Sequence, residues 1–284
     1  MATRATRHSA ESIINSDSLN QNEHTTFRKE KTMLDSSNLL FEDYHDTRVK
    51  NRPGFTVGRS GPLKLAIEQE TGTKYIVKHT YPHNAANEYV AMWLADKMLL
   101  PAPRTYLLSP CDQLNSNYAV AIEYIEGMKG FDKTNVPELL HNELIGQFIL
   151  NWMIATDDSL QLGCANDHIY SYDFSEAFCV TNNSLLRSCM QSEETCVESL
   201  IRHMQEFKRH LSFIDFDIPG LAREFHISPD KQKNVMISTA KRILDITEDD
   251  IAAMTDELGL MYPVGYDVYY EKCIEAMKEK MKDV

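Results

Sequence analysis

The sequence predicts an α+β fold in two lobes, a small strand-rich one followed by a mainly helical one. Between Arg52 and Tyr124, short apolar runs separated by turn residues surround a single helix-forming stretch; after Gly130, apolar residues recur at helical spacing. Composition agrees: 284 residues, 43% apolar and 25% charged, suit a globular chain with room for one two-lobed unit and a tail.

Residues 1–48 are rich in Ser, Thr, Asn, Asp, Glu and Lys, and are expected to form a flexible arm. Arg4, Arg7 and His8 evoke a targeting peptide, but Glu11, Asp17 and Glu23 follow, and acidic residues are foreign to transit sequences. The first lobe is expected over 49–128. Leu63 to Glu68, the turn Glu70-Thr71-Gly72-Thr73, and Tyr75-Ile76-Val77-Lys78 read as a hairpin. Asn84 to Leu99 reads as a helix with Asn84 as its N-cap, stopped by Pro101 and Pro103. Thr105 to Leu108 and Tyr118 to Tyr124 are further strands, and Glu126-Gly127 marks where the chain leaves the sheet.

The helical lobe is expected over 129–284. Val136 to Ile154 is a buried helix, too interrupted by Glu138, His141, Asn142 and Glu143 to span a membrane. A polar stretch, Ala155 to His168, leads to a short strand, Ile169 to Tyr172, that ends in Asp173. Helices are then expected over Thr195–Leu211, Ser228–Leu244, Thr247–Leu258 and Gly265–Lys282.

A net charge of −13 repels nucleic acid backbones and anionic membranes. With no secretory leader or apolar span, a cytoplasmic protein is expected; export by a dedicated machine, as for a bacterial effector in a host cytosol, would leave little trace in composition. Six cysteines without a CxxC pair suit reduced thiols. A Gly-x-x-x-x-Gly-Lys-Ser/Thr phosphate loop is absent.

Phosphoryl transfer needs a cation on the phosphates, a carboxylate to hold it, a carboxylate for Mg²⁺ and a group beside the nucleophile. The chain offers these in order. Lys78 ends an apolar strand, which can aim its ammonium reproducibly, and Glu88 sits ten residues on, near the start of the next helix. Asp173 at a strand end suits Mg²⁺, which takes one or two protein carboxylates. Asp157 and Asp158 follow the long helix, where acids are unfavourable for its dipole. Each residue also has an ordinary reading, as a surface Lys, a first-turn Glu or a helix cap.

Together, Tyr75 to Lys78, Asn87 to Ala95 and Leu100-Pro101-Ala102-Pro103 resemble the first lobe of HipA-like kinases, which share the protein kinase and phosphatidylinositol kinase architecture. Ala121 to Gly127 resembles the hinge that meets adenine, and Ile169 to Phe174 the metal-binding strand. The resemblance implies a bilobal protein-kinase-like fold, ATP with Mg²⁺ or Mn²⁺, Lys78 on the phosphates with Glu88 as partner, Glu123 and Ile125 at adenine, and Asp173 on the metal. It also likens Arg59 to Lys64, including Ser60 and Lys64, to a shortened phosphate-covering loop. The family pattern Asn-Thr-Asp-x-His-x-x-Asn aligns Asp157 with the catalytic Asp, Asp158 being the competing register, and leaves Leu162 where a metal-binding Asn is expected. Gln161 or Asn166 are the candidate substitutes. The implied activity is a serine/threonine protein kinase; a pseudokinase-type nucleotide-binding module and a phosphoinositide kinase are the alternatives.

Overall fold

A computed structural model describes residues 33–44, 63–79, 81–114, 117–132, 134, 136–154, 161–175, 177–178, 221–262, 265–282 and 284. The helix expected over Thr195–Leu211 lies outside them.

The first lobe is built from β1 (Met33–Leu34), β2 (Leu39–Asp43), β3 (Leu63–Glu68), β4 (Lys74–His79), α1 (Pro82–Lys97), β5 (Thr105–Leu108) and β6 (Ala119–Glu123). Its strands form one six-stranded sheet in the order β1-β5-β6-β4-β3-β2. The pair β1·β5 is parallel and the other pairs are antiparallel. Strands β1 and β2 lie within residues expected to be a flexible arm, so that expectation is corrected for Met33–Asp43. Their signal is faint because each is short and only Leu34 and Leu39 are deeply buried, both 3% exposed.

Consecutive strands β1 and β2 occupy opposite edges of this sheet. The chain from Leu34 to Leu39 reaches at most about 18 Å, whereas crossing a flat sheet of this width needs about 24 Å. The sheet therefore curls, bringing its two edges within reach of that short connection. The connecting residues bridge them: Ser36 N–H donates to Ser109 Oγ at 2.9 Å, and Gln69 N–H to the Asn38 carbonyl at 3.0 Å.

Period-two alternation then separates two cores. Leu34, Leu39, Ala66, Tyr75, Val77 and Ala121 form one that lies within the curl. The opposite face contributes Leu107, Val120 and Ile122 to the main core, which runs through α1 into the helical lobe. Helix α1 begins at Pro82 with Tyr81 as its N-cap, so Asn84 is a buried helical residue rather than the cap. Proline at a first helical position was the better signal, since its missing N–H costs nothing there.

Gly127, with φ +73, turns the chain out of the sheet. The second lobe then opens with strand rather than helix: β7 (Lys129–Gly130) pairs antiparallel with β8 (Leu162–Ala165), and β8 with β9 (His168–Ser171). Strand β8 corrects the polar loop expected over Ala155 to His168. Gly163 and Cys164 hide it; a Cβ at Gly163 would come within 2.8 Å of Met128 Sδ, so a larger residue there would displace that side chain. Between β7 and β8, α2 (His141–Met153) follows a 3-10 turn at Glu138–Leu140, starting later than expected because Pro137 disfavours helix at Val136.

The remainder is α3 (Leu221–Phe225), α4 (Pro229–Leu244), α5 (Glu248–Met261) and α6 (Tyr266–Met281). Ser228 caps α4, and Thr247 with Asp250 forms a capping box on α5. Among the described residues no helix is long and apolar enough to cross a membrane.

Candidate functional site

Strand β4 pairs Lys78 with Leu63 on one side and Val120 on the other, which turns the lysine toward α1 and the helical lobe. Glu88, in α1, is 0% exposed and accepts a hydrogen bond from Lys78 Nζ. The same ammonium donates to Asp173 Oδ1 at 2.6 Å. Residues of β4, of α1 and of the segment after β9 thus share one charged cluster.

Asp173 stands just beyond β9 with φ +67, a backbone state that a non-glycine residue adopts at a cost. It is held there from two further directions. Gln161 Nε2 donates to Oδ2 at 3.1 Å and Ser175 Oγ to Oδ1 at 3.3 Å. Gln161 is itself fixed by the Tyr172 N–H, which donates to its carbonyl at 3.2 Å.

One cation facing two carboxylates cannot neutralise both. Burial alone would lower the Lys78 ammonium, but Glu88 and Asp173 outweigh it and hold its pKa well above the ordinary lysine value. For Asp173, burial pushes upward, and the attraction of Lys78 with the bonds from Lys78, Ser175 and Gln161 wins, leaving it below the usual range. Glu88 is held above its usual value, because complete burial outweighs its share of the lysine. Asp173 therefore carries the firm negative charge of the cluster.

The other expected site residues are distributed unevenly. Lys64 lies in β3 opposite Val77, on the face away from Lys78, and pairs with Asp43 at 3.1 Å. This corrects its assignment to the phosphates: alternation along the strand sends it the other way. Glu123 ends β6 with its N–H donating to the Arg104 carbonyl, and Ile125 follows, its carbonyl accepting from Met128 N–H. Near them Tyr44, Leu65, Lys74, Tyr124, Glu126 and Gly127 line a concavity of about 280 Å³. Leu65 and Lys74 share the strand face of Lys78. Lys74 pairs with Glu126 across this concavity at 2.8 Å.

Leu162 is 8% exposed, within β8 and the main core, so the neighbouring Gln161 is the residue that reaches Asp173. Asn166 is in the β8–β9 turn, at the far end of the hairpin from Asp173, which removes it as a substitute. Ser60, Asp157 and Asp158 lie outside the described residues. Sequence reasoning missed Ser175 and a buried group behind the cluster, Asn87, Tyr269 and Tyr270. An asparagine inside an apolar helix, as at Asn87, was the available signal, since a buried amide must find partners.

No family model matches the chain, and no curated protein matches it in sequence. Among solved structures it is similar to the crystal structure of a Helicobacter pylori proinflammatory kinase, CtkA, with a TM-score of 0.56 and 12% identity. That match covers 89% of this chain and 99% of the other. The likeness is one of fold, and the chain has a bilobal, kinase-like α+β fold.

Proposed function

We propose that this chain is an ATP- and Mg²⁺-dependent phosphotransferase acting on a hydroxyl group, with Ser or Thr of a protein as acceptor. The observation that carries the reading is the convergence of Lys78, Glu88 and Asp173 on a kinase-like fold. Lys78 is a permanent cation on a rigid strand, suited to the phosphates, and Glu88 fixes its direction from α1. Asp173 and Gln161 present a carboxylate and an amide, oxygen donors that fit a hard divalent cation. Turning the Gln161 amide about its last bond exchanges its nitrogen for its oxygen beside Asp173. Mg²⁺ or Mn²⁺ held there would neutralise charge on the transferring phosphoryl group. The concavity between Leu65 and Tyr124 suits a nucleobase, with the Glu123–Ile125 backbone beside it. Asp157, or Asp158 in the competing register, is assigned to accept the proton of the attacking hydroxyl.

The test is to incubate the protein with labelled ATP and Mg²⁺ or Mn²⁺, alone and with a lysate. Label is expected to reach protein, and Lys78→Ala to reduce it roughly a hundredfold or more. Undiminished transfer by Lys78→Ala overturns the assignment. The burial of Leu162 favours a second reading, a nucleotide-binding module without transfer. ATP raising the melting temperature while no label moves with either metal would select it.

A further inference from the structure

Behind the charged cluster, α1 carries a second buried polar residue next to Glu88. Asn87 is 0% exposed and its amide is fully engaged. Its Nδ2 donates to the carbonyls of Ser175 at 2.9 Å and Ala177 at 3.0 Å, and its Oδ1 accepts from Tyr270 Oη at 2.5 Å. Tyr270 belongs to α6, the last helix, and is 1% exposed. Its neighbour Tyr269 donates to the Phe178 carbonyl at 2.7 Å. The rings reinforce these bonds: Phe178 packs edge-on against Tyr270 with centroids 5.4 Å apart.

Two adjacent residues of α1 therefore do complementary tasks. Glu88 holds Lys78, while Asn87 holds the backbone that follows Asp173. That backbone needs holding, because Asp173 and Phe178 both have left-handed φ, at +67 and +60. Strained conformations persist where surroundings over-determine them. The surroundings here are Asn87 from one lobe and two tyrosine hydroxyls from the C-terminal helix.

We propose that Tyr270 is a positioning residue: through Asn87 it fixes the backbone at Ser175 and Ala177, and hence the placement of the Asp173 carboxylate beside Lys78. The C-terminal helix is thereby part of the site's framework. The functional consequence, though not the contact itself, rests on the phosphotransferase reading.

Tyr270→Phe removes one hydroxyl and leaves the ring. Tyr266→Phe is the control, a buried tyrosine of the same helix whose hydroxyl makes no hydrogen bond among the described residues. In the full chain, hydrogen exchange at the Ala177 and Phe178 amides is expected to speed about tenfold in Tyr270→Phe and to stay unchanged in the control. Equal exchange in both variants, or an acceleration spread evenly through α4 and α5, overturns the proposal. In parallel, the Mg²⁺ concentration giving half of the ATP-induced thermal shift is expected to rise about threefold in Tyr270→Phe, with the shift by ATP without metal unaltered. An unchanged Mg²⁺ dependence in a wild type that responds to ATP also overturns it. A wild type giving no ATP response sinks the phosphotransferase reading instead, and the exchange result then decides the positioning claim alone.

Discussion

Helix α1 takes part in an ion pair at its middle and another at its last turn, and the two are built differently. At its middle, Glu88 meets Lys78, which also faces Asp173, and Glu88 is wholly buried. At its last turn, Lys97 meets Asp250, which also accepts from the Thr247 N–H at 3.0 Å and completes the cap of α5. The second arrangement places the ammonium over the Trp93 ring at 5.6 Å and joins two helices. The first is over-supplied with negative charge and spends a left-handed backbone on Asp173. A pair that only joins elements has no need of that excess. A site for a cation and phosphates, as proposed for Lys78 and its partners, would need it, and that sets apart two ion pairs that a distance criterion treats alike.

The comparison breaks most sharply if Asp173→Asn leaves phosphate transfer intact; a loss of about 10²–10³-fold is expected in the labelled-ATP assay. Gln161→Ala is expected to raise the Mg²⁺ requirement about tenfold while sparing the fold. At the Lys97–Asp250 pair the pattern inverts. Asp250→Ala is expected to cost about 1–2 kcal/mol in denaturant unfolding, through the lost cap of α5, with transfer unchanged.

Acid sharpens this last contrast. Burial pushes the Asp250 carboxyl up, but its bonds to Lys97 and Thr247 pull it down to about 2, from an ordinary 3.8. A depressed folded-state pKa gives stability that is complete above the ordinary value and lost as pH falls toward the folded one. The stability gap between wild type and Asp250→Ala should therefore be constant above pH 3.8 and narrow toward pH 2. A gap that stays level through that window would detach the cap from its charge. The smallest effect is expected at Glu88→Gln, a change in stability of no more than about 1 kcal/mol. Glutamine keeps the shape and can still accept from Lys78, while one of the two competing negative charges disappears.

Much of this was legible in the sequence wherever one residue type has one physical use. Ser228 and Thr247 announced their helices, Gly127 its turn, and Lys78 with Glu88 their pairing by spacing on a strand and a helix. Legibility failed where the cause is tertiary. Lys64 looked like a phosphate ligand until strand register put it on the other face. Strand β8 was hidden by Gly163, which lies against Met128 from another segment. The buried bonds of Tyr269 and Tyr270 were not legible, because a hydroxyl's partner cannot be inferred from helical periodicity. Gln161 and Leu162 were one residue apart in plausibility, and only the backbone of β8 decides which side chain turns toward Asp173.

The curled sheet also dictates an order of events during synthesis. Met33 and Leu34 pair with Leu107 and Leu108, which leave the ribosome roughly seventy residues later. At about 5–20 residues per second the first strand waits some 4–15 s for its partner. Until then Leu34 and Leu39 have no curl to close, and β4, with Lys78, lacks its β6 neighbour. Lys78 takes up its bearing only after a strand made much later has arrived, so a pause in translation before Ala119 would prolong the exposure of an incomplete sheet edge.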